Sequence, residues 1–75
     1  MPKGSEDSRA LGRAFRATRK EKGYTQESFA LKAGKDRSYY GAIERGEYNF
    51  TIETIMEVAR GLDVPAWKLW ERAGL

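Results

Sequence analysis

Neither cysteine nor histidine occurs among the 75 residues. Without cysteine there are no disulfides, no thiolate zinc sites and no cysteine nucleophile. Without histidine the chain lacks the commonest general base and the commonest metal ligand. No apolar run approaches the roughly 18 residues that a membrane span needs, and the N-terminus has no apolar signal-peptide segment. Only two prolines interrupt the chain. These absences predict a cytoplasmic, non-enzymatic domain that needs no metal or cofactor.

What is present fits one small globular domain. Charged residues make up 33% and hydrophobic residues 40%, at a mass of 8.5 kDa. A chain this short buries only about 60% of its unfolded surface, so the core is modest and dimerisation would help it. The net charge of +3 is unevenly placed. Residues 1–24 carry seven basic and three acidic groups, residues 25–46 four and three, and residues 47–75 three and five. A basic N-terminal half joined to an acidic C-terminal part is consistent with one polyanion-facing side, and equally with an ordinary solvated surface.

Residues 1–6 combine Pro, Gly, Ser and charge without periodicity and are expected to fray, leaving residues 7–75 as the domain. From Asp7 the positions Leu11, Ala14, Phe15 and Thr18 recur at helical spacing, and Gly23 supplies a stop. Thr25 offers a cap for a second helix, Gln26 to Ala33, with Phe29, Ala30 and Ala33 inward. Gly34 fits the left-handed position that ends such a helix. Asp36 caps a third, Arg37 to Arg45, with Tyr40 and Ile43 inward. Thr51 caps a fourth, whose apolar face is read as Ile52, Ile55, Met56, Ala59 and Leu62. Pro65 opens a fifth carrying Trp67, Leu69, Trp70 and Ala73. No segment alternates with period two. The fold is expected to be all-α, a bundle of five short helices.

Helices two and three, joined by a short turn holding Gly34, have the spacing of a helix-turn-helix. Gln26 then stands at the start of a helix, where an amide can meet a phosphate. Arg37 and Ser38 open the helix that such motifs press into the major groove. Arg37 can pair with guanine, a phosphate contact being the alternative. Tyr39 can touch a base edge, or be a partly buried ring. Gly41 and Ala42 are read on the outer face, where the backbone can approach DNA closely and Ala42 can meet a thymine methyl, packing against a neighbouring helix being the alternative. Two tryptophans exceed what so small a core hides easily. One is expected inside, and the other, with Val64, Leu69 and part of helix four, in a two-fold dimer contact formed by Trp67 or Trp70, the alternative being that both cover the core.

Arg19, Gly23, Thr25-Gln26-Glu27, Phe29-Ala30, Gly34, Ile43-Glu44-Arg45-Gly46 and Leu62-Asp63-Val64 together resemble the Cro/repressor-type helix-turn-helix proteins, the Xre family. The likeness covers residues 9–70. Asp36-Arg37-Ser38-Tyr39, Ile43-Glu44-Arg45 and Asn49-Phe50-Thr51-Ile52 look most like the controller proteins of restriction–modification systems. The resemblance implies a lambda-repressor-like bundle that binds double-stranded, pseudo-palindromic operator DNA as a homodimer and regulates its own promoter, with RNA polymerase as a further partner. It implies a buried ion pair between Arg19 and Glu44. It also implies positioning contacts to the phosphate backbone from Arg45, Tyr48 and Asn49, which Gln26 and Lys35 would join. Ser28 departs from the family's usual Glu or Asp, so the reciprocal capping box after Thr25 is expected to be incomplete. Glu53 and Glu57, at i and i+4, read as a solvated helix face. The competing functions are a phage-type repressor, or an antitoxin or other interaction module of the same fold, for which an extra partner-wrapping segment would be expected.

Overall fold

The computed structural model describes residues 4–75. Five helices follow in order, α1 (Glu6–Glu21), α2 (Gln26–Lys32), α3 (Arg37–Glu44), α4 (Ile52–Leu62) and α5 (Ala66–Arg72), with no strand among the described residues. None is long and apolar enough to cross a membrane.

Local chemistry sets the helix starts. The side chains of Ser5, Thr25, Asp36 and Thr51 each accept from the backbone N–H three residues on, satisfying donors that the first helical turn leaves unpaired. The capping box after Thr25 is complete, contrary to the expectation: the Ser28 hydroxyl accepts from the Thr25 N–H at 3.0 Å. Serine's short side chain reaches back as a carboxylate would. The first helix begins at Glu6, one residue earlier than the apolar pattern suggested, because Ser5 caps it. Of the segment expected to fray, residues 1–3 lie outside the described residues, while Gly4 N–H donates to the Glu47 carbonyl at 3.0 Å.

The helices enclose one core, made by Leu11 and Phe15 of α1, Phe29 and Ala30 of α2, Tyr40 and Ile43 of α3, Ile55, Val58, Ala59 and Leu62 of α4, and Leu69 of α5. Each fully buried large side chain contributes about 1.5–3 kcal/mol relative to leaving it in water. Aromatic contacts run through this core, with ring centroids 5.1 Å apart for Phe29–Tyr40 and 5.4 Å for Phe15–Phe50. At the crossing of α1 and α3 the backbones nearly touch: a Cβ on Gly12 would stand 2.3 Å from the Glu44 carbonyl oxygen. Helix α5 lies along α1, and Arg72 gives two hydrogen bonds to the Glu21 carboxylate, at 2.7 and 2.5 Å.

Two helix faces differ from the sequence reading. In α4 the inward residues are Ile55, Val58, Ala59 and Leu62, whereas Ile52 and Met56 face solvent. In α5 neither tryptophan enters the core, Trp67 being 59% and Trp70 39% exposed. Leu69, expected in a dimer contact, is 1% exposed and fills the place intended for an indole. The i, i+3 spacing of the two tryptophans keeps both on one outward face once Leu69 defines the inward one.

Candidate nucleic-acid interface

Helix α3 is held rigidly from behind. Glu44 at its last turn accepts from Arg19 of α1, Nε to Oε2 at 2.6 Å and Nη2 to Oε1 at 3.1 Å. Gln26 at the start of α2 donates to the same Oε1 at 3.1 Å, and Arg19 Nη1 donates to the Tyr24 carbonyl at 2.9 Å. Burial pushes the Glu44 carboxyl up, but these hydrogen bonds and the Arg19 charge outweigh it and hold the group below the ordinary carboxylate range. The Tyr40 hydroxyl is buried nearby without a hydrogen bond of good geometry, and burial pushes it far up, so it stays neutral. One buried polar cluster thus fixes α1, α2 and α3 together.

The opposite edge of α3 is open. Arg37, Ser38 and Tyr39, its first turn, are all exposed, and Arg37 has no ion pair among the described residues. An unpaired cation at the positive end of a helix dipole is locally unfavourable, which is what a site built for an anion or a base edge would show. Ala42 does not join this edge. It is 4% exposed, so the expected thymine-methyl contact is corrected: α3 is packed on more than one side, and five of its eight residues are buried. Gly41 is likewise covered, and by its own chain. A Cβ there would meet Arg45 Nη1 at 3.1 Å and Gln26 Oε1 at 3.4 Å, so the glycine makes room for two side chains crossing α3.

The residues expected to meet phosphate fall into two groups. Tyr48 stands beside Tyr39 of the open edge, whereas Gln26 and Arg45 meet over Gly41 further along α3, Gln26 bonded to Glu44 and Arg45 to Glu47, Nε to Oε2 at 2.6 Å. Arg45 holds the Glu47 carboxyl below the ordinary range. Tyr48 brings its ring to 6.1 Å from that of Tyr39. Lys35 and Asn49 are each tied to another part of the chain. The Lys35 ammonium donates to Glu57 of α4 at 2.7 Å. The Asn49 Oδ1 accepts from the Ser5 N–H and the Ser8 hydroxyl, both at 3.0 Å, pinning the α3–α4 loop to the start of α1. Sequence reasoning missed the parts played by Glu47 and Glu57. Glu47 sits two residues from its Arg45 partner, whereas nothing local in the sequence marks Glu57 as the partner of Lys35, 22 residues away.

The helix-turn-helix family HTH_3 matches residues 15–66. A hypothetical transcription factor of Neisseria meningitidis is 38% identical over 65 residues, 85% of this chain, which spans only 61% of that relative's length. Among solved structures, the restriction–modification controller protein C.AhdI from Aeromonas hydrophila superposes with a TM-score of 0.80 at 37% identity, covering 87% of this chain and 98% of that one. Another restriction–modification controller, crystallised as a tetramer with its natural 35 base-pair operator, gives a TM-score of 0.83 at 33% identity, over 92% and 91% of the two chains.

Proposed function

This chain belongs to the helix-turn-helix family HTH_3, and on that premise we propose that it is a sequence-specific DNA-binding transcription regulator of the restriction–modification controller kind. It acts in the cytoplasm, at the nucleoid, as a homodimer on a pseudo-palindromic operator upstream of its own gene. The observation that carries this reading is the unpaired, exposed first turn of α3, fixed from behind by the buried Arg19–Glu44 pair. In it Arg37 pairs with a guanine, and Ser38 and Tyr39 complete the reading of bases. Gln26, Arg45 and Tyr48 take the phosphates, with α1's exposed Arg13, Arg16 and Lys20 supplying salt-sensitive attraction.

Geometry favours a dimer. The described chain measures 27 × 24 × 18 Å along its principal axes. Half-sites one helical turn apart lie about 34–36 Å from each other, so reading both takes two copies. The exposed Trp67 and Trp70, with the partly buried Val64 and with Ile52 and Met56 on α4, supply the apolar surface for the two-fold contact. Activation adds RNA polymerase as a second partner.

The test is selection from a random double-stranded DNA pool at about physiological salt, with wild type and Arg37→Ala. Expected is a two-fold symmetric motif with half-sites one turn apart, relaxed at one base position per half-site in the variant. Its occurrence upstream of the chain's own gene is the check on autoregulation. Weak, steeply salt-dependent binding without an enriched motif would overturn the reading.

A further inference from the structure

The turn before α3 holds a lysine that solvent barely reaches. The Lys35 side chain is 11% exposed, with its ammonium 2.7 Å from Glu57 Oε1. The same ammonium lies 5.7 Å from the centroid of the Tyr39 ring, and the Tyr48 ring stands 6.1 Å from Tyr39 on a plane tilted by 34°. A lysine that serves as a phosphate contact is a hydrated, freely moving point charge. This one is neutralised by a carboxylate 22 residues away in sequence, and it holds Glu57 below the ordinary carboxylate range. What the arrangement does constrain is a ring. Tyr39 has a cation over its face and a second aromatic beside it, while its outer part remains open to solvent.

We infer that Lys35 and Glu57 are positioning residues for base recognition: the α4 carboxylate anchors the ammonium, and the ammonium holds the Tyr39 ring in its reading pose. The inference rests on the regulator reading above. A ring ordered before contact loses less freedom when it meets the matching base edge. Non-specific complexes, held by phosphate charge, draw nothing from that order. Neutralising Glu57 therefore has two effects of opposite sign. Removing a negative charge strengthens binding to any DNA, whereas loosening Tyr39 weakens binding to the selected site alone.

The experiment takes the operator selected with wild type and a scrambled duplex of equal length, and measures affinity for both at one salt concentration. For Glu57→Gln the ratio of specific to non-specific affinity is expected to fall about two- to fivefold, with no loss on the scrambled duplex. Lys35→Met should lower the ratio similarly, while Lys35→Arg, which keeps the cation over the ring, should restore it. In a Tyr39→Ala background, Glu57→Gln should leave the ratio unchanged. An equal rise on both duplexes would make Glu57 a mere surface charge and overturn the inference, as would an effect that persists without the Tyr39 ring. Failure of wild type to select any operator would instead remove the regulator reading on which it stands.

Discussion

Arg19 and Glu44, 25 residues apart in the chain, meet in a two-pronged buried ion pair whose other polar atoms are also bonded, to the Tyr24 carbonyl and the Gln26 amide. Desolvation cancels much of what such a pair contributes, but removing one partner strands a charge in the interior. Glu44→Ala is expected to lower the unfolding free energy by about 3–5 kcal/mol in urea. Replacing both residues with apolar ones of similar size should cost less than either single change. Strictly additive losses would show that the two do not act as a unit.

The same pair sets the acid limb of stability. The Glu44 carboxyl lies below its ordinary value of 4.5 in the folded chain. Its contribution is therefore complete above that value and is lost as pH falls through the folded-state value. Glu6, Glu21, Glu47 and Glu57 are lowered in the same direction by Arg or Lys partners. With no histidine, no side chain has an ordinary pKa between about 5.5 and 8. The unfolding temperature should be flat over that interval and fall below about pH 4.5, and Glu44→Gln should flatten part of the fall. A step near pH 6.5 would contradict the assignment.

Gly12 is where α1 and α3 come closest, and the group in the way of any side chain is backbone. In an open helix Gly→Ala stabilises. Here Gly12→Ala is expected to destabilise by about 1–3 kcal/mol, since α3 must move away to admit the methyl. A rise in melting temperature would mean that the crossing is looser than the 2.3 Å clearance implies.

Trp67 and Leu69 stand two positions apart on opposite sides of α5, the first exposed and the second buried. Trp67→Ala, on the exposed side, should leave the unfolding temperature of the monomer near wild type and raise the dimer dissociation constant about tenfold or more by sedimentation equilibrium. Leu69→Ala should cost about 2–5 kcal/mol of stability. An unchanged dimer constant in the tryptophan variant would move the two-fold contact elsewhere.

The parts of this fold legible in the sequence are those decided within a few residues. Thr25, Asp36 and Thr51 cap where their side chains suggest, because capping is a bond between neighbours three positions apart. Phase was harder. Helix α4 has more apolar positions than one face can hold, so its sequence does not tell the exposed Ile52 and Met56 from the buried Val58. Only the neighbouring helices choose among such faces. The burial of Ala42 is illegible for a related reason: α3 is covered on more than one side, and reading a single inward face assumes one. Lys35–Glu57 and the Asn49 bracket on Ser5 and Ser8 join residues 22 or more apart, and no local pattern announces them. The exposure of Arg37, Ser38 and Tyr39 is legible because they form the first turn of α3, ahead of its buried stretch.

The Arg72–Glu21 bridge spans 51 residues, and α5 lies along α1. Of the five helices, the last to be synthesised is thus the partner the first one waits for. Until residues 66–72 emerge, the face of α1 that α5 covers stays wet, and closing so long a loop costs entropy before it returns contacts. The domain is built to snap shut late in its own synthesis, so a chain broken off before α5 should be cleared as unfolded protein rather than persist as a half-active competitor for DNA.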